Sequence, residues 1–191
     1  SNHAPKPDSP SDVTMVNLLC CVSTALASTT PSSKPGFPVD SSVDRHKEAI
    51  TLALEHLESV STSPSRRSRD GMCEASHLAG RAINISRTTA SHALSYTMTS
   101  NLGVPHGHAV SVTLGAVMAY NYGLAEEDCL DPRGPGHVRT RIEELLELLQ
   151  ATSIEDGRRV IDSIIESTGQ PASLEDIGIR SSEDIQVCLL Y

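Results

Sequence analysis

Between Asp70 and Tyr122 the chain carries only four ionic side chains: Asp70, Glu74, Arg81 and Arg87. A 53-residue stretch with so few charges cannot be surface on all sides, so it should form the buried centre of the fold within a more polar frame. The flanks agree. Residues 1–69 hold seven acidic and seven basic groups, whereas residues 123–191 hold fifteen acidic against six basic, so the net charge of −9 sits in that last segment. With no Trp and a single Phe, the core must be built from Leu, Ile, Val and Ala, which suits helix packing better than a β-sandwich. A chain of 191 residues is long enough for one such domain.

The same composition excludes several functions. The acidic balance argues against nucleic acid or an anionic membrane surface as the main partner. Five cysteines without regular spacing do not make a secreted disulfide framework, which points to a reducing, cytoplasmic setting. No apolar run approaches the length of a transmembrane helix, and the Pro/Ser-rich start lacks the basic-then-apolar order of a signal peptide.

Periodicity predicts helices throughout, an all-α helical bundle without a convincing strand. Residues 1–12 read as a disordered tail and residues 13–191 as a single helical domain. Val13–Ser28 is expected as a short apolar helix, ending in a loop with Pro31, Pro35 and Pro38. Ser41 or Ser42 caps an amphipathic helix through Ile50, Leu52, Leu54 and Leu57 to about Val60. Ser61–Arg69 reads as a solvated loop, with Asp70 capping the next helix through Ala82. Small residues there (Ala75, Ser76, Ala79, Gly80, Ala82) allow close packing. Thr88 or Thr89 opens a helix to Asn101 that Gly103 stops in the left-handed conformation. Further helices are expected over His108–Tyr120, Arg139–Gln150 and Ile154–Ser167, with short pieces at Ser173–Ile177 and Ser182–Leu190.

The chemistry-bearing motif is His92-Ala-Leu-Ser-Tyr96 followed by Val104-Pro-His106-Gly-His108. Imidazole is the commonest protein ligand for divalent transition metals, and a Pro/Gly-bounded turn can bring His106 back to face His92. The alternative is a pair of hydrogen-bonded core histidines, and two ligands do not close a site, since catalytic metals are held by three or four protein groups. His108 should point elsewhere if helical, and His77 has no partner at a recognisable spacing and reads as structural. Cys20-Cys21 is adjacent rather than spaced as in a zinc ribbon, while Cys73, Cys129 and Cys188 read as buried thiols. No GxSxG, P-loop or strand-borne GxGxxG is present.

These segments resemble one family. Ala75-Ser-His-Leu-Ala-Gly80-Arg-Ala-Ile-Asn84, Thr89-Ala-Ser-His92-Ala-Leu-Ser-Tyr96, Gly103-Val-Pro-His106-Gly-His-Ala-Val110 and Tyr120-Asn121 are similar to the C-terminal helical domain of iron-containing (group III) alcohol dehydrogenases, part of the dehydroquinate-synthase-like fold. The His-Ala-Leu-Ser-Tyr variant resembles the branch that includes phosphonoacetaldehyde reductases. The match runs from about Leu18 to Ile185, more loosely at Asp131-Pro-Arg-Gly134 and Leu174-Glu-Asp-Ile-Gly178-Ile.

The resemblance implies that His92 and His106 bind a divalent metal, iron or zinc, which polarises an alcohol or aldehyde oxygen while hydride passes to or from NAD(P). Many members carry another histidine where this chain has Tyr96. The remaining ligands, an Asp-x-x-x-His pair, align with Cys20 and Thr24, of which Cys20 keeps a zinc-binding thiolate and Thr24 is a poor ligand. The family's nucleotide-binding domain is expected to be absent ahead of Ser1, and the C-terminal end to be truncated. Exposed apolar surface where that domain would pack predicts self-association or a partner supplying it.

Three readings follow. The chain is the metal-binding helical domain of an iron-type alcohol dehydrogenase-like oxidoreductase, acting on a small alcohol or aldehyde, phosphonoacetaldehyde-like by its branch, and incomplete by itself. Alternatively, it is a non-catalytic remnant with a degenerate metal site. Thirdly, it is a helical interaction module using the acidic face at Glu143–Glu147 and Glu155–Asp156.

Overall fold

In a computed structural model, residues 40–83 and 89–189 are described, with side chains from 44 to 186. Among the described residues there are seven helices and no strand, so the expected all-α class is observed. The expected tail, the helix at Val13–Ser28 and the proline loop lie outside the described residues.

The first two helices, α1 (Asp40–Thr62) and α2 (Arg66–Ile83), form a hairpin. On α1 the buried side chains are His46, Ala49, Ile50, Ala53, His56 and Leu57, a stripe at helical spacing, with Glu48, Thr51, Glu55 and Glu58 in water. On α2 the buried face is mostly small: Ser68, Gly71, Met72, Ala75, Leu78, Ala79 and Ala82. At Gly71 the two helices approach closely. A methyl group there would be driven into the His56 imidazole.

The expected loop at Ser61–Arg69 is in fact mostly helix, and Asp70 does not cap. Ser65 and Ser68 instead satisfy each other's amides: the Ser65 N–H donates to Ser68 Oγ at 2.9 Å and the Ser68 N–H to Ser65 Oγ at 3.0 Å. This reciprocal box satisfies two otherwise unpaired donors and starts α2 five residues earlier than expected. Asp70 lies within the helix and pairs with Arg66 at 3.6 Å across one exposed turn.

Helices α3 (Ala90–Leu102) and α4 (His106–Tyr122) follow. Gly103 ends α3 at φ 68° and ψ 18°, as expected, with its N–H on Thr99 O at 3.2 Å. Pro105 then stands at the N-cap of α4, whose first hydrogen bond runs from the Ala109 N–H to Pro105 O at 2.9 Å. Gly107 to Ser111, Thr113 to Gly115 and Met118 are all buried, so α4 is enclosed around most of its circumference. It packs on α3, on α5 (Pro135–Leu148) and on α6 (Ile154–Ser167).

The low-charge segment therefore does supply the centre of the fold through α4. Its enclosure is incomplete, because Tyr96, Leu102 and Tyr120 are exposed. The main core joins Ile50, Leu57, Met72, Leu78, Leu114, Met118, Ile142, Leu145 and Ile165 from α1, α2, α4, α5 and α6.

Helix α5 begins at Pro135, four residues before the expected Arg139, because Gly134 at φ 81° turns the chain into a proline pre-set for the first helical turn. Arg139 instead reaches back to the end of α4, donating to Tyr122 O and Leu124 O, each at 3.1 Å. Ser153 caps α6 by accepting from the Asp156 N–H at 3.1 Å. A smaller core forms where Met98, Val104 and Ala109 meet Ile179, and α7 (Ser182–Leu189) packs back on α3.

Candidate metal centre

His92 lies in the first turn of α3, and His106 is the first residue of α4. The turn through Gly103 and Pro105 carries the chain back along α3, so that α4 starts opposite Ser95 rather than beyond the end of α3. The two imidazoles meet edge to face with ring centres 5.6 Å apart. His92 is buried, 4% exposed, and His106 half-buried. Burial pushes His92 down to about 4, helped by the neighbouring His106, and burial also lowers His106. Both rings are therefore neutral near pH 7, the form in which imidazole binds metal.

The spacing fits a shared ion. Two imidazoles that each give one nitrogen to a tetrahedral ion at about 2.0–2.1 Å place their ring centres roughly 5 Å apart. Among the described residues, no group of three His, Cys, Asp or Glu side chains is arranged to hold a metal. Cys20 and Thr24, the positions that would complete the set, lie outside the described residues.

The other expected residues fall as follows. Tyr96 stands beside the pair, its ring stacked on His106 at 5.7 Å and 26° while 64% exposed. His108 is turned away, as expected, with its Nε2 2.7 Å from Pro171 O. Since a carbonyl only accepts, that nitrogen carries the proton. His77 is exposed on the outer face of α2 rather than built into the structure. Cys73 was expected to be buried and is exposed, because α2 buries its run of small residues and turns Cys73 outward. Cys129 is half-buried, its thiol 3.9 Å from Asp131 O, and the Cys188 side chain lies outside the described ones.

One residue of the site escapes a sequence reading. Ser95, one turn beyond His92, is fully buried and lies between the histidines: its hydroxyl is 2.6 Å from His92 O and 3.0 Å from His106 Nδ1. The available signal was its i+3 spacing from His92, which puts both on one helix face.

The helical fold agrees with what comparison with known proteins finds. The chain belongs to the Fe-containing alcohol dehydrogenase family, C-terminal part, whose model matches residues 40–190. Over 134 residues it is 40% identical to a phosphonoacetaldehyde reductase of Streptomyces viridochromogenes, in agreement with the branch its His-Ala-Leu-Ser-Tyr segment resembles. That match covers 70% of this chain and 34% of the reductase, so the chain spans about a third of that relative's length.

Among solved structures, the fold is similar to an alcohol dehydrogenase from Oenococcus oeni (TM-score 0.69, 22% identity, 95% of this chain and 46% of that one). It is also similar to a sulfoacetaldehyde reductase from Bifidobacterium kashiwanohense in complex with NAD+ (TM-score 0.66, 20% identity, 93% and 44%). At these identities the likeness speaks for the fold.

Proposed function

We propose that this domain provides the metal side of an NAD(P)-dependent site that interconverts a small alcohol and its aldehyde, with His92 and His106 as metal ligands. The observation that carries this reading is the pair itself: two neutral imidazoles on adjacent helices, 5.6 Å apart. A divalent ion held there would supply Lewis-acid polarisation of the substrate oxygen. The chain's own part is positional. Burial keeps both rings unprotonated, the enclosed helix α4 fixes His106, and the exposed Tyr96 ring flanks the approach to it. Likeness to a phosphonoacetaldehyde reductase supports an aldehyde bearing an anionic group as substrate; NAD(P) would be bound by a nucleotide-binding domain supplied elsewhere.

Equilibrium dialysis of the metal-free chain against zinc(II), and anaerobically against iron(II), tests the reading. One ion per chain is expected, with affinity strongly reduced in His92→Ala and in His106→Ala. Binding unchanged in the double variant, or no binding at all, would overturn it and leave a helical module without a metal.

A further inference from the structure

We infer that Ser95 is a positioning residue that holds His106 as the Nδ1–H tautomer, so that Nε2 presents its lone pair. The argument is one of proton counting. A serine hydroxyl has one proton to donate and can also accept. Ser95 Oγ lies 2.6 Å from His92 O, a carbonyl that can only accept, so without a proton between them two lone-pair-bearing oxygens would face each other at that distance. The Ser95 proton is therefore committed to His92 O.

His106 Nδ1, at 3.0 Å from the same oxygen, must then be the donor in its own contact. A neutral imidazole protonated at Nδ1 is an acceptor at Nε2.

Location explains why the arrangement persists. Ser95 is fully buried, so no water competes for its hydroxyl. His92 and Ser95 are one turn apart on α3, which makes the hydroxyl–carbonyl contact a local property of that helix. The outcome is a short relay, His106 Nδ1–H to Ser95 Oγ and Ser95 O–H to His92 O, in which the backbone of one histidine sets the tautomer of the other. A metal ligand oriented through its second ring nitrogen in this way gains affinity without any contact between the positioning group and the ion.

This inference rests on the proposed metal role of His106 for its use, but its test does not. Long-range proton–nitrogen NMR of the metal-free, nitrogen-15-labelled chain near pH 7.5 reads the tautomer of each histidine directly. The expected result is a His106 spectrum with protonated Nδ1 and lone-pair Nε2. In Ser95→Ala this signature should give way to a mixture or to the Nε2–H form, with His56 and His108 unaltered, while Ser95→Thr, which keeps the hydroxyl, should restore it. Ser95→Cys keeps the volume but accepts hydrogen bonds weakly, and stands in should the alanine variant fail to fold. Zinc affinity should fall roughly tenfold in Ser95→Ala and recover in Ser95→Thr.

An Nε2–H tautomer in the unsubstituted chain, or a signature unmoved by Ser95→Ala, would overturn the inference. A signature that Ser95→Ala abolishes in a chain that binds no zinc would uphold it while removing the metal reading of the pair.

Discussion

His92 shows how an ordinary residue becomes a specialised one through position alone. The same imidazole on a surface would titrate near 6.5, but buried in the first turn of α3 and beside His106 it is held down to about 4. The sign of the consequence is definite. Above pH 6.5 the folded and unfolded chains both keep this ring neutral, and it adds no pH dependence. Between 6.5 and about 4 the unfolded chain binds a proton that folded His92 refuses, so stability falls as the pH drops, by roughly 1.4 kcal/mol per pH unit from this ring. Urea unfolding at pH 7 and at pH 5 should show that loss, and His92→Gln should flatten the slope; an equal slope in the variant would refute the assignment. The pairing of His92 with His106 was legible in the sequence through the Pro-His-Gly turn and the family resemblance. Ser95 was not, because a serine within a helix is commonplace and gains its role only when a distant turn delivers His106 to it.

At the scale of helices, packing decided what sequence signals left open. Asp70 is by residue type as good a cap as any, yet Ser65 and Ser68 begin α2 because they satisfy each other's amides. In the same way, α2 buries its stripe of small residues and leaves Cys73 and His77 in water. The glycines of that helix should respond oppositely to one change. Gly71→Ala forces a methyl group into His56 and should cost about 1–3 kcal/mol, whereas Gly80→Ala meets nothing within 4 Å and should stabilise by about 0.5–1 kcal/mol through lost backbone freedom in the unfolded chain. Thermal unfolding of the two single variants decides this, and similar shifts of one sign would contradict the close approach of α1 to α2. Gly157 makes a similar junction, its Cα facing Leu146 and Met118, so α6 is seated on α4 and α5 by the lack of a side chain.

For the molecule as a whole, the charge distribution was a sound guide to architecture. The low-charge segment does supply the enclosed α4. The acidic face at Glu143–Glu147 is in part used within the chain: Glu144 pairs with Lys47 at 3.0 Å and with Arg141, and Glu143 lies 3.4 Å from the Tyr122 hydroxyl. Among the described residues, no helix is long and apolar enough to cross a membrane. The family was legible because its motifs cluster in α2, α3 and the start of α4; the rest of the site was not, since the positions matched to its other ligands carry Cys20 and Thr24.

The stacking of Tyr96 on His106 has an optical consequence. The chain contains no Trp and four Tyr, so its ultraviolet emission comes from tyrosine, without energy drained to an indole. An open-shell ion such as cobalt(II) at the histidine pair would sit within contact range of one of those four emitters and quench it, while zinc(II) would bind without doing so. Titration with cobalt(II) should therefore dim a fraction of the emission that zinc(II) restores by competition, and a variant with Tyr96→Leu should lack that fraction. The molecule thus carries its own dye, placed where the ion would arrive.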